Sequence, residues 1–354
     1  MEVIEDHFYN LYKMQNHLEK VLVTGASGYV ASHCIKVLLE NGFKVKGSVR
    51  DLKKVEMIKK YFEDSSNINN LEFCELNLLN DIGWKSALKD CDYLMHIASP
   101  CIIKEPKNES EIINPAVEGT LRALNFANNS KIKKVILTSS IGAILYGNDK
   151  KYCKSSDWTN TSEYVGSYIK SKTMAEKAAW DFFNKLPNPS FSFTTINPGM
   201  VFGPVINENL EGVSQNMILN LIRGKYPVLP DIYFTVVDVR DLAKIHVEAL
   251  LKKESDNSRL IVTSEKSVSF LDISRTLKNI GFRKSPTKLV PSFLIKTLAL
   301  FNKDMRITSM MIKKGYFEVD ISKTISIFNW EPTPLEKTLL DMTRSFERFD
   351  KILK

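Results

Sequence analysis

"KVLVTGASGYVASHCIKVLLENG", Lys20 to Gly42, decides the fold. "KVLVT" is a short apolar, β-branched run and reads as a buried strand. From Tyr29 onward the apolar residues recur at helical spacing, and Gly42 supplies a stop. Between the two, Gly25 permits a tight turn, and Gly28 lets a ligand approach the backbone with no side chain in the way. Ala31 is small enough for the helix to pack on the sheet. The free N–H groups and positive dipole end of the helix then suit a diphosphate. A glycine pattern alone marks a flexible turn, but between an apolar strand and an amphipathic helix it marks a dinucleotide cradle.

Working outward, "FKVKGSVR", "LEFCELNL", "CDYLMHIAS", "KKVILTSS" and "FSFTTINP" read as further strands, with helical patterns between most of them. The longest of these are "NPAVEGTLRALNFANNS" and "SYIKSKTMAEKAAWDFFNKL". Strands alternating with helices predict an α/β fold, a doubly wound parallel Rossmann sheet. After Pro198 the rhythm changes, although "VVDVRDLAKIHVEALLKK" and "SRLIVTS" return to strand and helix. The expected organisation is a loose extension over residues 1–13 and an NADP-binding domain over 14–196, rejoined by 235–264. A smaller, mainly helical C-terminal substrate lobe takes 197–234 and 265–354.

The chain has 354 residues and a net charge of +8. No apolar run is long enough to cross a bilayer, and the N-terminal stretch has no apolar core of the signal-peptide kind. A cytoplasmic protein with no membrane partner is expected. The five cysteines and five histidines show neither a disulfide framework nor metal-ligand spacing, so no metal is expected. The lysines look scattered, with "RKSPTK" at Arg283–Lys288 the densest patch, and no nucleic-acid partner is expected. The state expected is monomer or homodimer.

The second strand bears on which dinucleotide is held. NAD sites end that strand with a carboxylate for the ribose. Here "GSVRD" places Arg50 there, followed by Asp51, with Lys53 and Lys54 close behind. A guanidinium grips a 2′-phosphate bidentately and stacks on adenine, which favours NADP(H); Asp51 as a ribose ligand is the alternative. "LTSSIGA" puts Ser139 and Ser140 at the carboxyl end of the fifth strand, where such folds bind ligands. In "YIKSK", Tyr168 and Lys172 lie one turn apart on one helix face.

The motifs "TGASGYVASH", "VRD", "CDYLMHIASP", "NPAVEGT", "LTSSIGA", "YIKSK", "NPGMVFGP" and "VDVRDLAKIHVEAL" run in order from about Lys20 to Leu250. In this the chain resembles the extended short-chain dehydrogenases/reductases of the NAD-dependent epimerase/dehydratase superfamily. Within them it is similar to the dihydroflavonol reductase branch of ketone and aldehyde reductases. The resemblance implies Ser140, Tyr168 and Lys172 as the catalytic trio. Tyr168 would donate a proton to the carbonyl oxygen as hydride arrives, Lys172 would hold the nicotinamide ribose, and Ser140 would polarise the carbonyl. A free phenol titrates near pH 10, so work near neutrality needs a nearby positive charge.

The resemblance also implies cofactor contacts from Gly25, Ser27, Gly28, Tyr29, Val30, Arg50 and Lys54, and from Asn77 and Leu78 beside the adenine. Ala98, Ser99 and Thr138 would line the ribose–diphosphate path. Pro198, Gly199, Val201 and Ser214 would lie beside the nicotinamide. Asn114, before Pro115, reads as a helix N-cap, and the resemblance offers it a water relay to Lys172. Leu145 stands where flavonoid reductases carry an asparagine, which points to a smaller or more apolar ketone or aldehyde than a flavonoid. Ile102, Tyr146, Tyr164 and Met200 are candidates for that pocket. A nucleotide-sugar epimerase or dehydratase, or a sterol dehydrogenase, shares the fold and trio and is the alternative. A non-catalytic NADP-binding regulatory protein is the alternative of another class.

Overall fold

The computed structural model describes residues 19–100, 105–207 and 212–349. The expected extension over 1–13 and the pocket candidate Ile102 lie outside the described residues. The main sheet consists of β1 (Lys20–Val23), β2 (Lys44–Val49), β3 (Leu71–Glu75), β4 (Tyr93–His96), β5 (Lys134–Thr138), β6 (Ser192–Pro198) and β7 (Ser258–Val262). Its order is β7-β6-β5-β4-β1-β2-β3, with every pairing parallel. The strand order reverses beside β1, so the carboxyl ends of β1 and β4 frame the crevice where ligands bind in open α/β sheets.

The helices around it are α1 (Tyr29–Glu40), α2 (Ser110–Asn128), α3 (Ser167–Lys185), α4 (Val213–Ile222), α5 (Val239–Leu251), α6 (Phe270–Asn279), α7 (Ser292–Leu298), α8 (Lys303–Lys314) and α9 (Leu335–Glu347). The inner strands β1, β4 and β5 read as near-continuous apolar runs because both faces are covered. Val21 and Val23 of β1 face one layer, with Ile35, Leu38 and Leu39 of α1 and Leu242 of α5. Leu22 faces the other, with Ala123 and Leu124 of α2 and Ala179 and Phe183 of α3. A third core belongs to the smaller lobe, where Phe202, Ile218, Phe270, Leu277, Leu339 and Phe346 join α4, α6 and α9.

The helix carrying Asn114 starts earlier than the sequence suggests. α2 begins at Ser110, so Asn114 lies inside its second turn on the exposed side and is not the N-cap. Pro115 therefore sits inside the helix, where it gives up the one bond its N–H would make to the Glu111 carbonyl without ending the helix.

Candidate active site

The crevice begins at the glycine turn. Gly25 has φ +75°, and a Cβ there would stand 3.0 Å from the Ala98 Cβ. The Gly28 amide closes the turn onto the Gly25 carbonyl at 2.8 Å. α1 then starts at Tyr29 with no side chain capping it and no acid in its first turn. Ser27 and Gly28 are exposed, and Val30 is half-buried. The positive end of α1 therefore faces the crevice unblocked, as a diphosphate requires.

The first turns of α1 are clamped to the smaller lobe by two side chains. The Tyr29 hydroxyl donates to the Gly203 carbonyl at 2.7 Å, and His33 Nε2 meets the Pro204 carbonyl at 2.9 Å. Tyr29 thus ties the helix to the smaller lobe, and its phenol is spent on that bond. Thr24, at the end of β1, holds the next loop. Its hydroxyl accepts from the amides of Ile97 and Ala98, both at 3.0 Å, and meets His96 Nδ1 at 3.1 Å. Burial, with the Lys172 charge added, lowers His96 to about 3, which keeps that ring neutral.

At the end of β2, Arg50 is exposed. Asp51 is turned back on its own chain, accepting from the Lys53 amide at 2.9 Å as the cap of a short 3-10 turn. Arg50 and Lys54 are thus both exposed after β2. Asn77 also uses its side-chain oxygen locally, accepting from the Leu79 amide at 3.0 Å. Leu78 packs where a Cβ on Gly119 would come within 3.0 Å of it. This donor set fits a phosphorylated dinucleotide: an open helix start for the diphosphate and a guanidinium at the second strand.

The two serines after β5 face different surroundings. The Ser139 hydroxyl is buried and donates to Glu176 Oε2 at 2.5 Å. The Ser140 hydroxyl is half-buried and accepts from the Gly142 amide at 3.0 Å, while Asn197 Nδ2 holds the Ser140 carbonyl at 3.1 Å. Tyr168 and Lys172 occupy the first two turns of α3. Lys172 is buried, and its ammonium donates to the Thr138 carbonyl at 3.3 Å. Thr138 is fixed in turn by His246. The His246 Nδ1 faces the Leu242 carbonyl at 2.8 Å, so its Nε2, 2.9 Å from the Thr138 hydroxyl, is the acceptor. Burial lowers His246 to about 4, consistent with that neutral form. A cavity of about 10 Å³, room for roughly one water, lies among Ala98, Ser99, Thr120, Thr138 and Lys172.

Sequence reasoning missed Glu176, the centre of this layer. Its carboxylate accepts from Ser139 at 2.5 Å, Thr195 at 3.0 Å, Asn197 at 2.7 Å and Arg259 Nε at 2.7 Å. The Arg259 guanidinium lies 3.6 Å from the Trp158 ring centroid. The only signal was a Glu four residues after Lys172, on the buried side of α3.

The strand end at Pro198 supplies the opposite wall. A Cβ on Gly199 would lie 2.0 Å from the Thr263 hydroxyl and 2.5 Å from the Thr235 carbonyl, so only glycine fits. Val201 and Met200 are half-buried, and the Ser214 hydroxyl donates to the Met200 sulfur at 3.3 Å. Tyr164 is covered from the smaller lobe, with Arg306 of α8 stacked 4.3 Å from its ring centroid. Leu145 and Tyr146 are both packed into the core, because the whole short helix Gly142–Leu145 tucks beneath the Ser140 turn. Among the described residues no group of three His, Cys, Asp or Glu is placed to hold a metal ion.

Comparison with known proteins follows this geometry. The profile of the NAD dependent epimerase/dehydratase family matches residues 21–262. The cinnamoyl-CoA reductase CAD2 of Medicago truncatula is 33% identical over 73% of this chain and 80% of its own length. An NADPH-dependent methylglyoxal reductase of Saccharomyces cerevisiae is 30% identical over 69% of this chain and 77% of its own length. Among solved structures, Gre2 of Candida albicans in complex with NADPH superposes with a TM-score of 0.76 at 26% identity, covering 95% of this chain and 98% of that one. The chain belongs to the NAD dependent epimerase/dehydratase family.

Proposed function

We propose that this chain is an NADPH-dependent oxidoreductase that reduces the carbonyl of a small or medium ketone or aldehyde. The observation that carries the proposal is the reach of Lys172 from α3 to the end of β5, where its ammonium donates to the Thr138 carbonyl at 3.3 Å. Ser140 leaves β5 with its hydroxyl outside the Glu176 network, while α3 brings Tyr168 and the buried Lys172 to the same end of the sheet, across from the open start of α1. The relatives named above are reductases of carbonyl compounds, which supports the same reading.

Bound NADPH supplies the hydride. The open end of α1 with Ser27 and Gly28 would hold its diphosphate, and Arg50 with Lys54 its 2′-phosphate. Ala98, Ser99 and Lys172 would hold the ribose side, with Asn77 and Leu78 at the adenine. Pro198, Gly199, Val201 and Ser214 would wall the nicotinamide. Ser140 donates a hydrogen bond to the substrate oxygen and polarises it. Tyr168 gives that oxygen its proton. Lys172, held by the Thr138 carbonyl, keeps a positive charge beside the phenol that favours the proton's departure.

A dehydratase reading needs extra carboxylates near the active serine. Glu176, the carboxylate beside Ser139, is held by four donors and committed to Ser139. The reductase reading is tested by following NADPH oxidation against aldehydes, ketones, flavonoids and nucleotide sugars. Tyr168→Phe should lower turnover by about 10²–10⁴-fold while leaving NADPH affinity intact. Turnover equal to that of the unaltered chain would remove Tyr168 from the chemistry.

A further inference from the structure

Between Ile273 and Phe317 the chain carries ten lysines and arginines and one acid, Asp304, so this segment's net charge of +9 exceeds the +8 of the whole chain. Charge that looks scattered in the sequence is, in net terms, gathered in one segment of the chain. Arg283, Lys284, Lys288, Lys296 and Lys303 are all exposed. Among the described residues the segment's one ion pair joins Arg275 to Asp272.

In the middle of this charge stands a helical hairpin formed by α7 and α8. Of α7 only Ile295 is buried. Phe293 is 65% exposed, Leu298 53%, and at the turn between the helices Leu300 is 77% and Phe301 88% exposed. The base of the hairpin is fixed. Ile307 of α8 packs against Gly166, and Lys303 donates to the carbonyls of Pro106 and Lys107, both at 3.2 Å. The apolar tip is therefore held out from the body rather than folded onto it.

A grouped set of exposed Phe and Leu marks an interaction surface. Its partner must both accept apolar side chains and carry negative charge. An acidic lipid surface does both, with Phe and Leu entering the acyl boundary while lysines remain among the headgroups. A nucleic acid would leave Leu298 and Leu300 without a role. A second copy of this chain would set one strongly positive segment against another. We infer that the α7–α8 hairpin docks the protein on a membrane surface containing acidic phospholipid. The contact is peripheral, since among the described residues no helix is long and apolar enough to cross a membrane. The inference replaces the expectation of no membrane partner and stands independently of carbonyl reduction.

The test is co-sedimentation of the full chain with vesicles of phosphatidylcholine alone and with phosphatidylserine added, at low and high salt. Binding should require phosphatidylserine and weaken with salt. The pairs Leu300→Ser/Phe301→Ser and Lys284→Glu/Lys288→Glu should each weaken it by about ten-fold. Both variants should keep the NADPH oxidation rate of the unaltered chain with a water-soluble aldehyde, or, if that activity is absent, its thermal unfolding midpoint. Vesicle binding unchanged by the tip substitutions, or no binding to acidic vesicles, would overturn the inference. So would a tip-dependent dimer seen by light scattering without vesicle binding, or RNA binding insensitive to the tip.

Discussion

Arg50 and Asp51 are neighbours in sequence with opposite fates. The aspartate is consumed by its own turn, and the arginine is left facing outward. Arg50→Asp should therefore shift the ratio of kcat/KM for NADPH over NADH by about 10- to 100-fold toward NADH, measured by steady-state kinetics with each cofactor. An unaltered ratio would show that Arg50 does not read the phosphate. The paired serines give a second contrast at this scale. Ser140→Ala should cost about 10²–10³-fold in kcat. Ser139→Ala, which removes a donor from Glu176, should instead lower the unfolding midpoint and leave kcat within a few-fold. The glycine turn and the Tyr-Lys spacing were legible because each is written within a few residues. The burial of Leu145 and Tyr146 was not legible, because side-chain type does not reveal which way a four-residue helix tucks.

Helix α3 shows why an element's support was harder to read than its chemistry. Its outward turns carry Tyr168 and Lys172, and its next turn carries Glu176 into a polar layer drawn from β5, β6 and β7. No local pattern announces that four donors from separate stretches will converge on one carboxylate. Glu176→Leu would leave the Arg259 guanidinium buried without its partner, a loss of about 3–5 kcal/mol. Urea unfolding would read this as a lower midpoint, and Glu176→Leu combined with Arg259→Met should recover part of it. No recovery would mean that the carboxylate acts on its other donors more than on the arginine. The early start of α2 has a similar origin, since a proline was read as a boundary where it is only a passenger in the second turn.

At the scale of the whole molecule, acid sensitivity follows from three buried imidazoles. Burial lowers His33 to about 4, His96 to about 3 and His246 to about 4. In the unfolded chain such groups titrate near 6.5, so below that pH the unfolded state takes up protons that the native fold refuses. Their contribution is complete above about pH 6.5 and is lost as the pH falls toward the folded values, at up to about 4 kcal/mol per pH unit. Chemical denaturation at stepped pH would check this; a flat profile between about pH 7 and about pH 5 would refute it. The main sheet was legible because its strands are short runs separated by helical patterns. The smaller lobe was legible as a mainly helical unit but not in its packing, since its core joins α4, α6 and α9 across long stretches of chain.

The last strand also has a bearing on how the protein is made. β7 lies at the sheet's edge against β6, but the chain reaches it only after α4 and α5 have been laid down. A nascent chain ending before Ser258 exposes the bare backbone of β6 and has no Arg259 beneath the serine turn. The polar layer under Ser139 is thus completed late. The ribosome can release Ser140, Tyr168 and Lys172 before the strand that closes this layer has been made.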